Sequence, residues 1–192
     1  MAPTWQLLRI DLIKRNHPSP CPLPTAWGEG SRGRLCVLVK TSVSDAQTLT
    51  IADLDVAEIE AAVALWEACG LTRPWNDPRA DVRLALAGET STILAGHAGG
   101  RLVATAMVGA DGHRGWVYYL AVAPDRRGQR HGEAMMRAAE AWARARGMPK
   151  LQLMVRADNA AVVSFYNAIG YEIEDRTVMS KRFGTAASRQ ED

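Results

Sequence analysis

The chain has 192 residues, of which 47% are hydrophobic and 23% are charged, and both proportions are typical of a globular protein. This composition excludes a chain that is disordered throughout, a collagen-like repeat and a disulfide-dense scaffold. The formal net charge of only +2 also argues against a strongly basic nucleic-acid binder. The sequence contains no run of about 18 apolar residues, so no membrane span is predicted. Arg9 and Asp11 interrupt the apolar stretch that a signal peptide would need.

The positive charge is concentrated in residues 1–46, which hold six basic and three acidic residues. Residues 47–192 hold the remaining 17 basic and 18 acidic residues and are nearly neutral. Residues 16–33 contain four alternating prolines and three glycines, a pattern that favours neither a helix nor a central strand. Three interpretations stay open: a disordered tail or linker, a start codon assigned too far upstream, and an organelle-targeting segment.

The first predicted elements follow this stretch. Thr48–Ala52 has strand composition, and Asp55 begins a capping box at the start of a helix. Apolar residues recur at helical spacing until Gly70, which is expected to end the helix. A loop with two prolines, Leu71–Pro78, leads to a shorter predicted helix over Arg79–Leu86.

Three strands are predicted next, in quick succession. Thr92–His97 and Arg101–Val108 flank two glycines, which is the signal of a hairpin. Trp116–Val122 is apolar on both faces, as expected of a central strand.

The C-terminal part alternates helices and strands. Helices are predicted over His131–Arg146 and Asn159–Ile169, and strands over Leu151–Val155 and Tyr171–Lys181. Because a helical crossover joins parallel neighbours, the whole pattern predicts an α+β fold with a mixed sheet and helices packed on it.

A basic turn lies between the predicted central strand and the helix that follows it. It contains Arg126, Arg127 and Arg130 together with Gly128 and Gly132. The first turn of a helix has unpaired N–H groups and a partial positive charge, so a phosphate is its natural partner. The turn therefore predicts an anion site, with a solvated surface loop as the alternative.

This turn resembles the acetyl-CoA pyrophosphate loop of the GNAT N-acetyltransferase superfamily, Arg/Gln-x-x-Gly-x-Gly/Ala after a strand ending in Val-x-Pro. The chain has Val122-Ala-Pro124 and then a loop over 127–132, with Arg130 in place of the middle glycine. A second motif, residues 159–171, is similar to the family's Asn-x-x-Ala-x-x-(Phe/Leu)-Tyr-x-x-x-Gly-(Phe/Tyr) element. The resemblance covers residues 47–183 and leaves 184–192 as a tail.

The resemblance implies the GNAT fold, a twisted mixed sheet of six to seven strands with flanking helices and a splay between the fourth and fifth strands. Acetyl-CoA would bind in the splay, where the backbone of Leu120, Ala121 and Val122 would pair with the pantetheine arm. The pyrophosphate would be held by Arg127, Gly128, Gln129, Arg130, His131 and Gly132. Asn159 would bind the arm, or only cap its helix. Tyr166 would protonate the departing thiolate, or only fill the core.

The implied reaction is direct transfer of an acetyl group to an amine of a small molecule or a protein. The oxyanion would be stabilised by a backbone N–H near a bulge at Leu120. Trp116 and Met154 stand where branches of the family carry a glutamate. The candidates for the general base and for the acceptor contacts are Arg73, Trp75, Asp111, His113 and Tyr118, with a water chain as a further candidate for the base.

Competing interpretations are a non-catalytic acyl-CoA sensor, a ribosomal-protein type N-terminal acetyltransferase and, least favoured, a nucleic-acid binder. Cys21, Cys36 and Cys69 are neither paired nor spaced as zinc ligands, which predicts reduced thiols in a cytoplasmic protein. No metal site is predicted either. Members of the family often dimerise, so a homodimer is a further expectation of the resemblance.

Overall fold

A computed structural model describes residues 48–156 and 158–181, so the predicted N-terminal extension 1–46 and the C-terminal tail 184–192 lie outside the described residues. The part that is described forms five strands and four α-helices. The strands are β1 (Thr50–Asp53), β2 (Ser91–Ala98), β3 (Arg101–Ala110), β4 (Gly115–Val122) and β5 (Leu151–Leu153). The helices are α1 (Ile59–Ala68), α2 (Pro78–Ala87), α3 (His131–Ala145) and α4 (Ala160–Ala168).

The strands form one sheet in the order β1-β2-β3-β4-β5. The first four strands are antiparallel to their neighbours, whereas β5 runs parallel to β4. The reversal follows from the connections, because turns join β2, β3 and β4 while α3 crosses over between β4 and β5. The mixed sheet is therefore confirmed.

Helices cover both faces of the sheet. On one face, Trp66 of α1 donates a hydrogen bond from Nε1 to Oγ1 of Thr105 in β3, at 2.8 Å. On the other face, the absence of a side chain at Gly96 leaves room for Met135 of α3. A Cβ on Gly96 would lie 2.9 Å from Sδ of Met135, and it would also contact Ala104 of β3. Because Ala104 and Thr105 are consecutive in one strand, they face opposite sides. The core thus lies in two layers, one under α1 and one under α3.

Two aspartates cap the helix starts that precede and follow the α1–α2 loop. The Asp55 side chain accepts from the N–H of Ala57 at 2.9 Å in a capping box, as predicted. Asp77 accepts from the N–H of Arg79 at 2.9 Å and starts α2, with Pro78 as its first residue. Such caps satisfy N–H groups that the helix itself leaves unpaired.

The predicted strand over Tyr171–Lys181 is not formed, so the described residues hold five strands rather than six or seven. A strand or hairpin was the expectation for this segment, whose apolar residues are Tyr171, Ile173, Val178 and Met179. Its apolar side chains nevertheless face solvent, with Ile173 77% and Met179 90% exposed. A strand is stabilised by burying one face, and this segment buries almost none of its own.

Candidate active site

β4 and β5 separate partway along their length. They pair only from Gly115 opposite Leu151 to Val117 opposite Leu153, and β4 then continues alone on that side to Val122. β5 ends at Leu153, so the two strands open a cleft beside the second half of β4. The predicted splay between the fourth and fifth strands is therefore present.

A β-bulge interrupts β4 at the mouth of this cleft. Thr105 pairs with Ala121 and Met107 pairs with Tyr118, so Tyr119 and Leu120 together oppose a single residue of β3. Tyr119 has a φ of 48°, a left-handed conformation that is uncommon for residues other than glycine. Strained backbone of this kind persists only where neighbouring groups hold it, and it concentrates at functional sites.

A buried hydrogen-bond chain holds the bulge. The indole of Trp66 donates to Thr105 Oγ1 at 2.8 Å, and that hydroxyl donates to the carbonyl oxygen of Tyr119 at 3.2 Å. Trp66 and Thr105 are both fully buried. The core under α1 therefore fixes the main chain at the position where β4 bends.

The ring of Tyr119 extends from the bulge toward α2. It stacks on Trp66, with ring centroids 3.9 Å apart and planes 15° apart. Its hydroxyl donates to Oδ2 of Asp81 at 2.7 Å, and the Asn76 amide donates to both the Tyr119 hydroxyl at 3.1 Å and Asp81 Oδ2 at 2.6 Å. Burial raises the pKa of Tyr119, and the hydrogen bond to Asp81 raises it further. The sequence analysis did not single out Asn76, Asp81 or Tyr119.

The basic turn after β4 contains two residues in the left-handed conformation. Gly128 and Arg130 have φ values of 77° and 59°, so Arg130 adopts the left-handed conformation that a glycine would favour. Arg130 is the N-cap of α3 and provides no side-chain cap. The first N–H groups of α3 consequently have no side-chain acceptor, unlike those at the capped starts of α2 and α4.

The guanidinium groups in this turn differ in how they are paired. Arg130 binds Glu133 through two hydrogen bonds of 2.8 and 3.0 Å, so its charge is largely compensated. Arg127 is exposed and takes part in none of the ion pairs found within 48–156 and 158–181. Arg127 is therefore the side chain of the motif whose charge is available to an anion.

His131 turns inward rather than toward the loop. Its side chain is 5% exposed, and Nε2 is buried with no hydrogen-bond partner in the described part of the chain. Burial lowers the pKa of His131, and the nearby charge of Arg126 lowers it further. Both effects favour the neutral form of the imidazole.

The end of β4, the start of α3 and the middle of α4 meet at Gly132. A Cβ on Gly132 would lie 3.2 Å from Cζ of Phe165 and 3.7 Å from Cγ2 of Val122. A larger residue at this position would have to displace the Phe165 ring slightly, so glycine serves close approach here rather than an unusual φ. This packing holds Phe165 of α4 close to the end of β4.

The two predicted residues of the second motif lie on α4. Tyr166 is 9% exposed, its ring contacts those of Phe165 and Tyr171 edge to face, and burial raises its pKa to about 12. None of the hydrogen bonds found among the described residues involves its hydroxyl. Asn159 caps α4 by accepting from the N–H of Val162 at 3.3 Å, which leaves its amide N–H groups available to a ligand.

Of the acceptor-side candidates, Asp111 holds the β3–β4 turn. Its carboxylate accepts from the Trp116 indole at 3.0 Å and from the backbone N–H groups of Arg114 and His113 at 2.6 and 2.8 Å. These bonds, the indole first, lower the pKa of Asp111 to about 2. Such a carboxylate is a weak base, so its contacts favour a structural role in the turn. Tyr118 is 42% exposed, and its ring stacks with that of Trp116 on the same face of β4.

The candidates in the α1–α2 loop are placed differently. The guanidinium of Arg73 donates to the carbonyl oxygens of Gly70 and Thr72 at 2.9 and 2.7 Å and so closes the loop. Trp75 is 65% exposed at the loop surface. No group of three or more potential metal ligands occurs among the residues that the structure describes, and no helix among them is long and apolar enough to cross a membrane.

A bulged, splayed β4 followed by an uncapped helix start is the geometry that the two motifs implied, and comparison with known proteins identifies the class. The model of the acetyltransferase (GNAT) family matches residues 56–171, more than half of the chain. The chain belongs to this family. It is an N-acetyltransferase that transfers the acetyl group of acetyl-CoA to an amine, as predicted.

Shorter relatives, most of whose length matches this chain, support this assignment. The acetyltransferase YE1169 of Yersinia enterocolitica is 42% identical over 126 residues, which cover 66% of this chain and 89% of that protein. The acetyltransferase ECA0875 of Pectobacterium atrosepticum is 43% identical over 125 residues, covering 65% of this chain and 89% of that protein.

Solved structures share the fold at low sequence identity. The aminoglycoside N-acetyltransferase AAC(6')-Iy in complex with CoA is similar with a TM-score of 0.61 and 15% identity, covering 70% of this chain and 94% of that one. The ribosomal-protein-alanine N-acetyltransferase of Brucella melitensis has a TM-score of 0.58 and 21% identity, covering 70% and 99%. Neighbours that distant establish the architecture and leave the acceptor of this chain to be argued from its own residues.

Proposed function

We propose that acetyl-CoA binds along the splayed half of β4, with its pyrophosphate at the start of α3 and its thioester beside the bulge. The observation that carries this proposal is the start of α3, where the first N–H groups have no side-chain cap and follow a loop with two left-handed residues. Arg127 adds an uncompensated positive charge there. An anion at this place pairs with N–H groups that are otherwise unsatisfied, and the helix dipole favours it.

The pantetheine arm pairs with the main chain of β4 as an added strand would. Leu120, Ala121 and Val122 follow the end of the β4–β5 ladder, so this edge of β4 is not covered by β5. The Val122 carbonyl oxygen already accepts a weak hydrogen bond from the thiol of Cys69, with S···O at 3.3 Å. Leu120 is therefore the main contact for the arm, and Asn159 supplies amide N–H groups from the opposite side of the cleft.

The chemistry is a direct transfer. The neutral amine attacks the thioester carbonyl carbon, a C–N bond forms, and the negative charge on oxygen is stabilised by the backbone N–H at the bulge. When the C–S bond breaks, the nitrogen loses a proton and the sulfur gains one. The products are the acetylated amine and CoA in its thiol form.

Tyr166 assists the departure of the thiolate. Burial keeps its hydroxyl protonated, since its pKa is about 12, whereas an ordinary thiol has a pKa of about 8.5. Full proton transfer from this phenol to sulfur is therefore uphill by roughly 5 kcal/mol. The main contribution of Tyr166 is a hydrogen bond that it donates to the sulfur as negative charge develops there. The thiolate then takes its proton from solvent.

Replacing Tyr166 by phenylalanine tests this assignment. We expect Tyr166→Phe to lower kcat by roughly 100-fold, measured as thiol release from acetyl-CoA with a panel of primary amines and N-terminal peptides, while the Kd of acetyl-CoA changes little. Tyr171→Phe is the matched control, because it removes a neighbouring hydroxyl that instead donates to Glu140 at 3.1 Å. Equal losses in both variants would mean that Tyr166 acts only through packing.

The same proposal extends to the setting of the reaction. Residues 47–183 form the catalytic domain, and the acceptor is the amine of a small molecule or a protein in the cytoplasm. A non-catalytic sensor is not favoured, because Tyr166 stands at the motif position from which a leaving thiolate is assisted.

A further inference from the structure

Asp81 is a half-buried carboxylate without a cationic partner. It lies in the first turn of α2, and its side chain accepts hydrogen bonds from neutral donors, the Tyr119 hydroxyl at 2.7 Å and the Asn76 amide at 2.6 Å. It belongs to none of the ion pairs within 48–156 and 158–181. A partly desolvated carboxylate is most stable next to a positive charge.

The arginines near Asp81 are engaged elsewhere. Arg79 forms a two-pronged pair with Glu60, with the closest approach at 2.6 Å, and Arg83 lies 3.8 Å from Asp77. Arg73, whose charge influences the Tyr119 hydroxyl, donates to carbonyl oxygens of its own loop. None of these three arginines forms an ion pair with Asp81, although Arg73 keeps its charge in the neighbourhood of the Tyr119 hydroxyl.

The position of Asp81 relates it to the chemistry. Its hydrogen-bond partner Tyr119 is one of the two bulge residues, and the other is Leu120, next to which the thioester is proposed to lie. The Tyr119 main chain is held by Thr105 and its ring by Trp66. The carboxylate is therefore connected to the reacting position through a rigid aromatic ring rather than through a mobile side chain.

We propose that Asp81, together with Tyr119 and Asn76, binds the ammonium group of the acceptor, so that the acceptor is a primary amine that arrives protonated. An ammonium ion has three N–H donors and no acceptor, which suits the oxygens of Asp81 and Tyr119. The Asn76 side-chain oxygen is a third possible acceptor. This inference rests on the proposed function, because it places the amine beside the acetyl group that β4 and α3 hold.

The proton balance assigns Asp81 one further step. The bound ammonium ion loses one proton through Asp81 to solvent before it attacks, and the nitrogen loses a second proton after the C–N bond forms. One of the two protons ends on the CoA sulfur and the other is released. The transfer therefore needs no oxidant, reductant or metal.

The test uses the full chain and pentane-1,5-diamine as the probe. Calorimetry with the CoA-loaded protein measures the Kd of the diamine, and thiol release from acetyl-CoA measures its KM and kcat. We expect Asp81→Asn to raise the Kd and KM of the diamine at least about tenfold, the effect of losing a charge-assisted hydrogen bond. The Kd of acetyl-CoA and the Tm should stay within error. Asp81→Glu should recover part of the affinity.

Glu60→Gln is the matched control, because it removes a carboxylate from the same helical layer whose cation is an arginine of the protein itself. It should leave the Kd of the diamine unchanged. An unchanged diamine Kd in Asp81→Asn, or no diamine binding to the unmodified CoA-loaded protein, would overturn the proposal. Failure of acetyl-CoA to bind would overturn the proposed function instead, so the two failures are distinguishable.

Discussion

Two regions of the molecule present polar groups in different ways. At the β4–β5 edge the unpaired polar groups are main-chain groups, whereas on the face covered by α1 and α2 the polar groups are side chains. The splay and the start of α3 are made by strand pairing that stops at Val117 and by left-handed residues at Gly128 and Arg130. The opposite region depends on Trp66, Asp81 and Tyr119 and on their hydrogen bonds. One strand, β4, connects the two.

The difference explains which substitutions each region accepts. A main-chain site is kept as long as the backbone follows the same course, and Arg130 illustrates this by adopting the conformation of the glycine it replaces. A side-chain site changes its chemistry with each residue. We therefore expect the cofactor region to respond to changes in backbone conformation and the acceptor region to respond to changes in single polar groups.

The largest expected effect on stability comes from the link between the regions. Thr105→Val removes the hydroxyl that accepts from Trp66 and donates to the Tyr119 carbonyl, and it leaves two buried polar groups without partners. We expect the free energy of unfolding to fall by about 2 kcal/mol, measured by urea denaturation. The KM for the amine should rise as well, because the bulge is no longer held.

Thr92→Val provides the comparison for that change. Its hydroxyl makes an exposed hydrogen bond to Asp53 at 3.2 Å, so its removal should alter stability by less than about 0.5 kcal/mol. If Thr105→Val lowered stability but left the amine KM unchanged, the bulge would be held by the strand ladder alone.

A smaller effect is expected in the cofactor loop. Gly128→Val forces a β-branched residue into the left-handed region, which costs about 1–2 kcal/mol, or shifts the loop out of it. Acetyl-CoA should then bind roughly 5- to 30-fold more weakly, as measured by calorimetry. Gly147→Val introduces the same strain after α3, where φ is 72°, and should lower Tm without changing this affinity. Unaltered binding by Gly128→Val would show that the loop conformation does not matter.

The smallest expected effect concerns His131. Replacing it with leucine removes a buried Nε2 that lacks a partner, so His131→Leu should raise the free energy of unfolding by about 1 kcal/mol at pH 7.5. The pKa of His131 is lowered in the folded state, so below about pH 6.5 the unfolded chain binds more protons. The unmodified protein should lose stability as pH falls through this range, and the variant should lose less. Parallel pH profiles would contradict this assignment.

The elements of the proposed cofactor region could be predicted from the sequence because they are local. The loop at 127–132 and the motif at 159–171 are short continuous segments, and the strand and helix next to them have clear periodicity. The prediction for Tyr171–Lys181 was wrong in secondary structure, because the sequence of the segment alone does not supply a partner strand or a surface to cover its apolar side chains.

The acceptor region could not be predicted in the same way. Asn76, Asp81 and Tyr119 come from a loop, a helix and a bulge that are up to 43 positions apart, and no spacing rule connects them. Asp81 alone resembles an ordinary acidic residue in the first turn of a helix. Asp111 and Arg73 were chosen for their charge, yet their hydrogen bonds go mainly to the chain itself. Tyr118 and Tyr119 are adjacent in the sequence, and only the register of β3 and β4 shows that it is Tyr119 whose ring turns toward α2.

The bulge in β4 makes the two halves of the reaction separable for an engineer. Changes to the first turn of α2 or to the loop before it alter what is presented to the amine, yet they do not touch the edge where β4 leaves β5. Acceptor preference can therefore be varied by a library at Asn76 and its neighbours, while Thr105 and Trp66 keep the register constant. Substitutions at Tyr119 itself would change both halves at once and belong in a separate library.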